Sequence, residues 1–139
     1  MSLHLGLKNG STSVSKPIYL LAILAAIDEN ELNCNQIEFE NTYIRRYFGS
    51  KYEEINGNKK GFGSSFFIRP YFHLGSSDFY HLIWKSKSIP ALSSNTPSTK
   101  YLRENLLYAK LDDELWNLLQ VSENREIIRK NIINRYFSL

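Results

Sequence analysis

Ten consecutive residues, Ile18–Ile27, carry no charged side chain and, apart from the Tyr19 hydroxyl, no polar one (Ile-Tyr-Leu-Leu-Ala-Ile-Leu-Ala-Ala-Ile). A helix over this run is apolar almost all the way round, so other elements have to enclose it. Ser15 is placed to cap its start, and Pro17 falls in the first turn, where a missing N–H is harmless. Asp28-Glu29-Asn30-Glu31 ends it. The run is too short to cross a bilayer, and no basic region with a signal-like core opens the chain. With 139 residues and 42% hydrophobic composition, the segment predicts the central buried helix of one domain with a substantial core.

The remaining elements follow from periodicity and punctuation. Ile37 and Phe39 alternate with polar neighbours, as in a short strand or an extended entry to the next helix. Asn41–Phe48 sets Tyr43, Ile44, Tyr47 and Phe48 at helical spacing. Gly49–Ser65, with four glycines and few aliphatics, reads as a long mobile loop. Tyr71–Leu74 and Phe79–Trp84 have strand-like composition and flank the turn-forming Gly75-Ser76-Ser77-Asp78, which predicts a β-hairpin with Pro70 at its entrance. In that strand, His81 and Ile83 share one face, and Tyr80, Leu82 and Trp84 the other. Beyond a polar connection, Ser98 or Thr99 caps a short helix through Asn105. Asp112 caps Asp113–Gln120, and Ser122 starts Glu123–Tyr136 with a stripe of Ile127, Ile128, Ile132 and Ile133. Trp116 reads as a core anchor. The expected fold class is α+β and mainly helical, several helices packed around a central apolar helix with a small β-hairpin. Residues 1–14 form a flexible N-terminal segment and 15–139 a single domain.

Charge is unevenly distributed. The net charge of +3 divides into −3 over residues 1–40, +7 over 41–103 and −1 over 104–139. Ten basic residues against three acidic ones surround the Phe66–Trp84 region, the footprint of a polyanion binder, although a solvated basic face explains the same count. Catalytic constellations are poor. His73, Asp78 and His81 lack the Cys or His partners of a zinc site, Ser76 and Asp78 belong to a turn, and Asp112-Asp113-Glu114 sit at a helix N-terminus, where the dipole favours them. No Gly-rich phosphate motif is present. The single Cys34 permits no internal disulfide and agrees with a reducing, cytoplasmic setting. No catalytic residue, metal or cofactor is expected.

Several segments together resemble the sulfur-binding domains of HNH-type restriction endonucleases that attack phosphorothioate-modified DNA. They are Lys16-Pro17 opening an aliphatic helix, Pro70-Tyr71-Phe72-His73-Leu74, Phe79-Tyr80-His81-Leu82, Leu111-Asp112-Asp113-Glu114-Leu115 and the closing Tyr136-Phe137. They occur in the family's order over about four-fifths of the chain. Two positions depart: Arg69 stands where the family commonly has Tyr before the central Pro, and Ser15 where it often has His.

The resemblance implies a DNA-binding recognition domain, itself non-catalytic, and a fragment of a longer protein with an HNH nuclease. Sulfur would enter an apolar cavity lined by Pro70 and Tyr71. Arg69, Arg45, Arg46, Lys59 and Lys60 are the phosphate-side candidates, and His73 a contact to a base edge or the backbone. For His73 and His81 the alternative is simple packing with one nitrogen satisfied. A module binding DNA without sulfur preference or reading another modification stays open, as does a protein-interaction domain meeting its nuclease or a second copy. No membrane partner is implied, and a homodimer is compatible.

Overall fold

The computed structural model describes residues 14–56, 64–86 and 96–137. Its elements are α1 (Ser15–Asp28), α2 (Thr42–Asn56), α3 (Ser64–His73), a 3-10 turn (Leu74–Ser76), β1 (Tyr80–Trp84), α4 (Thr99–Asn105), β2 (Leu106–Leu111), α5 (Asp113–Leu119) and α6 (Ser122–Tyr136). The architecture is mainly helical α+β with a small antiparallel sheet, as expected. Residues 1–13, and with them the N-terminal segment read as flexible, lie outside the described residues.

The central helix is where the apolar run places it. From Pro17 to Ile27 every α1 side chain except Ala25 is buried, and α2, α3 and α6 pack against it. It stops at Asn30, whose φ of 60° is the left-handed conformation that Asn tolerates. The amides of Glu31 and Asn30 then bond back to the carbonyls of Ala26 and Ile27, at 2.8 and 3.2 Å, in a Schellman closure. The helix's negative end is offset from outside, because Arg125 donates to Asp28 at 2.6 Å and Arg129 pairs with the same carboxylate. These two bonds fasten α6 to α1.

The sheet is present, but its partners differ from the expected hairpin. β1 pairs with β2 from Tyr80↔Leu111 to Trp84↔Leu106, with a bulge after Ile83. Ile37 contributes only an isolated bridge on the other edge of β2, exchanging bonds of 2.7 and 2.9 Å with Ala109. The side chain of Asn35 extends this edge, with bonds of 2.7 and 2.8 Å to the Leu111 backbone. Residues 71–74 are instead the end of α3 and the following turn. Composition there suggests a strand, yet the buried residues Phe67, Ile68, Tyr71 and Leu74 recur at i, i+1, i+4 and i+7, the helical period. Pro70 sits inside this helix and removes one backbone donor, a loss that the buried face outweighs.

Three further expectations are corrected. The supposed loop from Gly49 begins as helix, because α2 runs on to Asn56 and Tyr52 packs its ring 5.8 Å from that of Phe48; residues 57–63 lie outside the described set. Asp112 occupies the N-cap position of α5 without making the side-chain cap bond, since its carboxylate pairs with His81. On α6 only Ile128 and Ile132 are buried, while Ile127 and Ile133 are exposed. Residues 127 and 133 lie about 120° apart around the helix axis, on either side of Ile128 and Ile132, too far for all four to share one buried face. Trp116 packs on the core only partly buried. The Ser98 cap on α4 is as expected, accepting from the Tyr101 amide at 3.0 Å.

Inside the core, three tyrosines form a directed relay. Tyr80 donates its hydroxyl to the Tyr71 carbonyl at 2.7 Å, so the 2.9 Å contact between the Tyr19 and Tyr80 hydroxyls has Tyr19 as donor. Tyr71 in turn donates to the Ile37 carbonyl at 2.6 Å. Burial raises the pKa of all three phenols, fixing them as neutral donors. Tyr80→Phe removes both the donor to Tyr71 and the acceptor for Tyr19, at about 1–3 kcal/mol for each buried group left unpaired. Tyr19→Phe keeps the Tyr80 donation and costs less. Urea unfolding of the two variants checks that order.

Candidate nucleic-acid interface

The N-terminal turn of α1 and the C-terminal half of α3 bring Lys16, Arg69 and His73 into one neighbourhood. Lys16 is half-buried, and that burial lowers its pKa from the ordinary lysine value. Arg69 is exposed. His73 is held below the ordinary histidine value, first by burial and then by the positive charges of Lys16 and Arg69. Its Nε2 lies 2.7 Å from Thr96 Oγ1, which attaches the Thr96–Ser98 segment to the end of α3. Pro70 is buried between Arg69 and Tyr71 in the sequence of the same helix.

Among the described residues, every ion pair uses other cations. Glu40 takes Arg45 at 2.8 Å and also Arg103; Asp28 takes Arg125 and Arg129; Lys51 pairs with Glu54 and Lys110 with Asp113. Among the described residues, Lys16, Arg46 and Arg69 have no such partner. A partly buried ammonium and a guanidinium without counter-charge favour an anion, and a hydroxyl and an imidazole beside them can bond it. Among the described residues no three His, Cys, Asp or Glu side chains are placed to hold a metal ion.

The other sequence-derived candidates separate. Arg45 faces inward: besides Glu40, it donates to the Phe39 carbonyl at 3.2 Å and its guanidinium stands 4.8 Å over the Phe39 ring and 5.6 Å over Phe67. Arg46 is exposed on α2. Tyr71 is completely buried among Tyr19, Phe39, Phe67 and Tyr80, so its ring backs α3 from within and gives no open aromatic wall. Lys59 and Lys60 lie outside the described residues. His81 is on the sheet with Asp112, apart from the Thr96 partner of His73, so the two imidazoles do not share a ligand. Asp113 beside them has its pKa lowered by the Lys110 hydrogen bond and then by the Lys110 charge.

Reading the residues in order missed Lys16 and Thr96. Lys16-Pro17 was visible as a motif, but nothing in linear order says that the start of α1 meets the end of α3. Thr96 offered no signal within a polar connection.

The class defined by this fold and site is a small, mainly helical α+β domain with a basic cluster at a helix junction that has no carboxylate partner among the described residues. Among solved structures it is similar to the sulfur binding domain of ScoMcrA complexed with phosphorothioated DNA, with a TM-score of 0.67 and 17% sequence identity over 96% of this chain and 82% of that one. The two share a fold, the one implied by the sequence resemblance. No family model matches the sequence, and no curated protein matches it. No helix among the described residues is long and apolar enough to cross a membrane.

The two kinds of arginine should behave differently in unfolding experiments. Arg45→Ala loses a carbonyl bond, an ion pair and stacking on two rings, and is expected to cost about 1–3 kcal/mol. Arg69→Ala, exposed and unpaired, should stay within about 0.5 kcal/mol of the parent. Chemical denaturation midpoints of both variants measure the contrast.

Proposed function

We propose that this domain recognises phosphorothioate-modified DNA, holding the backbone with Lys16 and Arg69 and seating the sulfur against the Pro70 ring. One observation supports it most: two cations that have no carboxylate partner among the described residues bear on His73, on a fold shared with a domain solved on phosphorothioated DNA. Sulfur in place of a non-bridging oxygen keeps the negative charge but presents a larger, less hydrated atom. A pocket floored by a proline ring accepts it without leaving a donor unpaired. Oxygen there would lose water and gain nothing, a penalty of about 1–3 kcal/mol, or roughly 5- to 150-fold in affinity.

Pro70 is nearly inaccessible, so in this reading its ring backs the sulfur from within and is not an open platform. Arg46 extends the basic surface along α2, and Lys59 and Lys60 are further phosphate contacts in this reading. The domain itself recognises; cleavage belongs to an HNH nuclease elsewhere in a cytoplasmic restriction endonuclease. The burial of Tyr71 favours one second reading, DNA binding without sulfur preference, because the expected aromatic wall is absent from the surface.

Matched duplexes with and without one phosphorothioate separate the two. The sulfur reading expects tighter binding of the modified duplex at equal salt, with Pro70→Ala shrinking the difference while weak binding to ordinary DNA survives. Equal affinity across several sequence contexts leaves only the general reading. Lys16→Ala and Arg69→Ala should weaken both duplexes and each flatten the log–log salt slope by about 0.9 per lost phosphate contact. Unchanged slopes in both variants would move the interface away from the α1–α3 junction.

A further inference from the structure

His73 has a second property that phosphate binding would engage. It is half-buried, its Nε2 is occupied by Thr96 Oγ1, and the charges bearing on it are those of Lys16 on α1 and Arg69 on its own helix, both positive. The segment carrying Thr96 faces it with a hydroxyl. Helix α4, which also packs on α3, carries Lys100, Arg103 and Glu104, and Arg103 is already paired with Glu40. The free domain therefore holds this imidazole among cations, with burial as the larger influence and repulsion adding to it.

We propose, resting on the DNA reading above, that an anionic phosphate entering between Lys16 and Arg69 draws a proton from solvent onto His73, so that the domain grips DNA more tightly as pH falls. A bound phosphate reverses the sign of the local field: it neutralises the two cations and places negative charge beside the ring. The protonated ring donates at both nitrogens, keeping Nε2–H on Thr96 Oγ1 and offering Nδ1–H to a phosphate oxygen. The covalent balance is simple, because one solvent proton adds to one ring nitrogen and no other bond changes.

The direction follows from linkage. The pKa of His73 in the free domain lies below the ordinary histidine value, and under the proposal it is higher in the complex. Between those two values binding takes up a proton, and affinity rises as pH falls, by at most about tenfold per pH unit for one proton. Below the free-domain value the gain levels off. Acid thus acts oppositely on the free domain, whose stability from this group is complete above the unfolded histidine value and declines as pH falls through the depressed folded one.

Affinity for a short duplex carrying one phosphorothioate, and for its unmodified twin, measured across the ordinary histidine range from about pH 8 to about pH 5 at constant ionic strength, is the test. The expected result is a rise toward acid in the parent that disappears in His73→Gln, whose side-chain amide can still reach Thr96 but does not titrate, and persists in His81→Gln. Calorimetry on the parent in two buffers of different ionisation enthalpy should show net proton uptake on binding within that range, which tests the idea even if His73→Gln fails to fold. Binding with an identical pH slope in parent and His73→Gln, or with no proton uptake, overturns the proposal while leaving DNA recognition intact. Failure to bind either duplex at any pH overturns the DNA reading and this inference with it.

Discussion

The Tyr80 hydroxyl is the point through which three elements are held in register. It accepts from Tyr19 on α1 and donates to the carbonyl of Tyr71 on α3, while the Tyr71 phenol reaches Ile37 and so the far edge of β2. Lys16 lies three residues before Tyr19, less than one helical turn, and Arg69 and His73 lie two residues to either side of Tyr71. Fixing Tyr19 against Tyr71 therefore fixes the start of α1 against the end of α3. The meeting of the buried phenols thus sets which residues of α1 and α3 come together in the basic cluster.

Around that junction, the acidic residues decide which cations remain available. Glu40 draws Arg45 and Arg103 together, and Arg45 also lies over the Phe39 ring. Asp28 does the same for two arginines of α6. Such pairs are partly exposed and individually modest, but they consume charge that a residue count assigns to the surface. The +7 surplus of residues 41–103 consequently overstates the free positive field. Of the cations that keep it, Arg69 stands where α1 and α3 converge, and there it is joined by Lys16 from outside that stretch.

How much of this was legible depended on whether the signal was local. The all-apolar run of α1, the Ser98 cap and the burial of Ile128 and Ile132 each follow from neighbours a turn away. The segment ending at His73 failed because two signals disagreed: Phe, Tyr and Ile favour strands by composition, while Phe67, Ile68, Tyr71 and Leu74 follow the helical period, and packing chose the period. The partner of β1 was hidden by distance, since Leu106–Leu111 lies beyond a helix and carries no turn signal linking it to Tyr80. The same non-locality concealed Lys16 as a site residue. By contrast, the sequence resemblance carried the fold correctly, because an ordered succession of motifs encodes long-range arrangement that periodicity does not.

The inward position of Tyr71 changes what could distinguish sulfur from oxygen in the proposed site. With the Tyr71 face turned inward, the exposed candidate is the Arg69 guanidinium, next to the buried Pro70 ring. A guanidinium is planar and more weakly hydrated than an ammonium, so its face can lie against a large polarisable atom while its edge bonds the remaining phosphate oxygen. A lysine at the same position would bind charge equally well but would bring its hydration shell and suit oxygen as readily as sulfur. Arg69 is then compatible with selectivity in a way that its charge alone does not suggest. Discrimination in such a site rests on which ligand atom loses less water on entering, and the half-buried Lys16 supplies attraction that is indifferent to that choice.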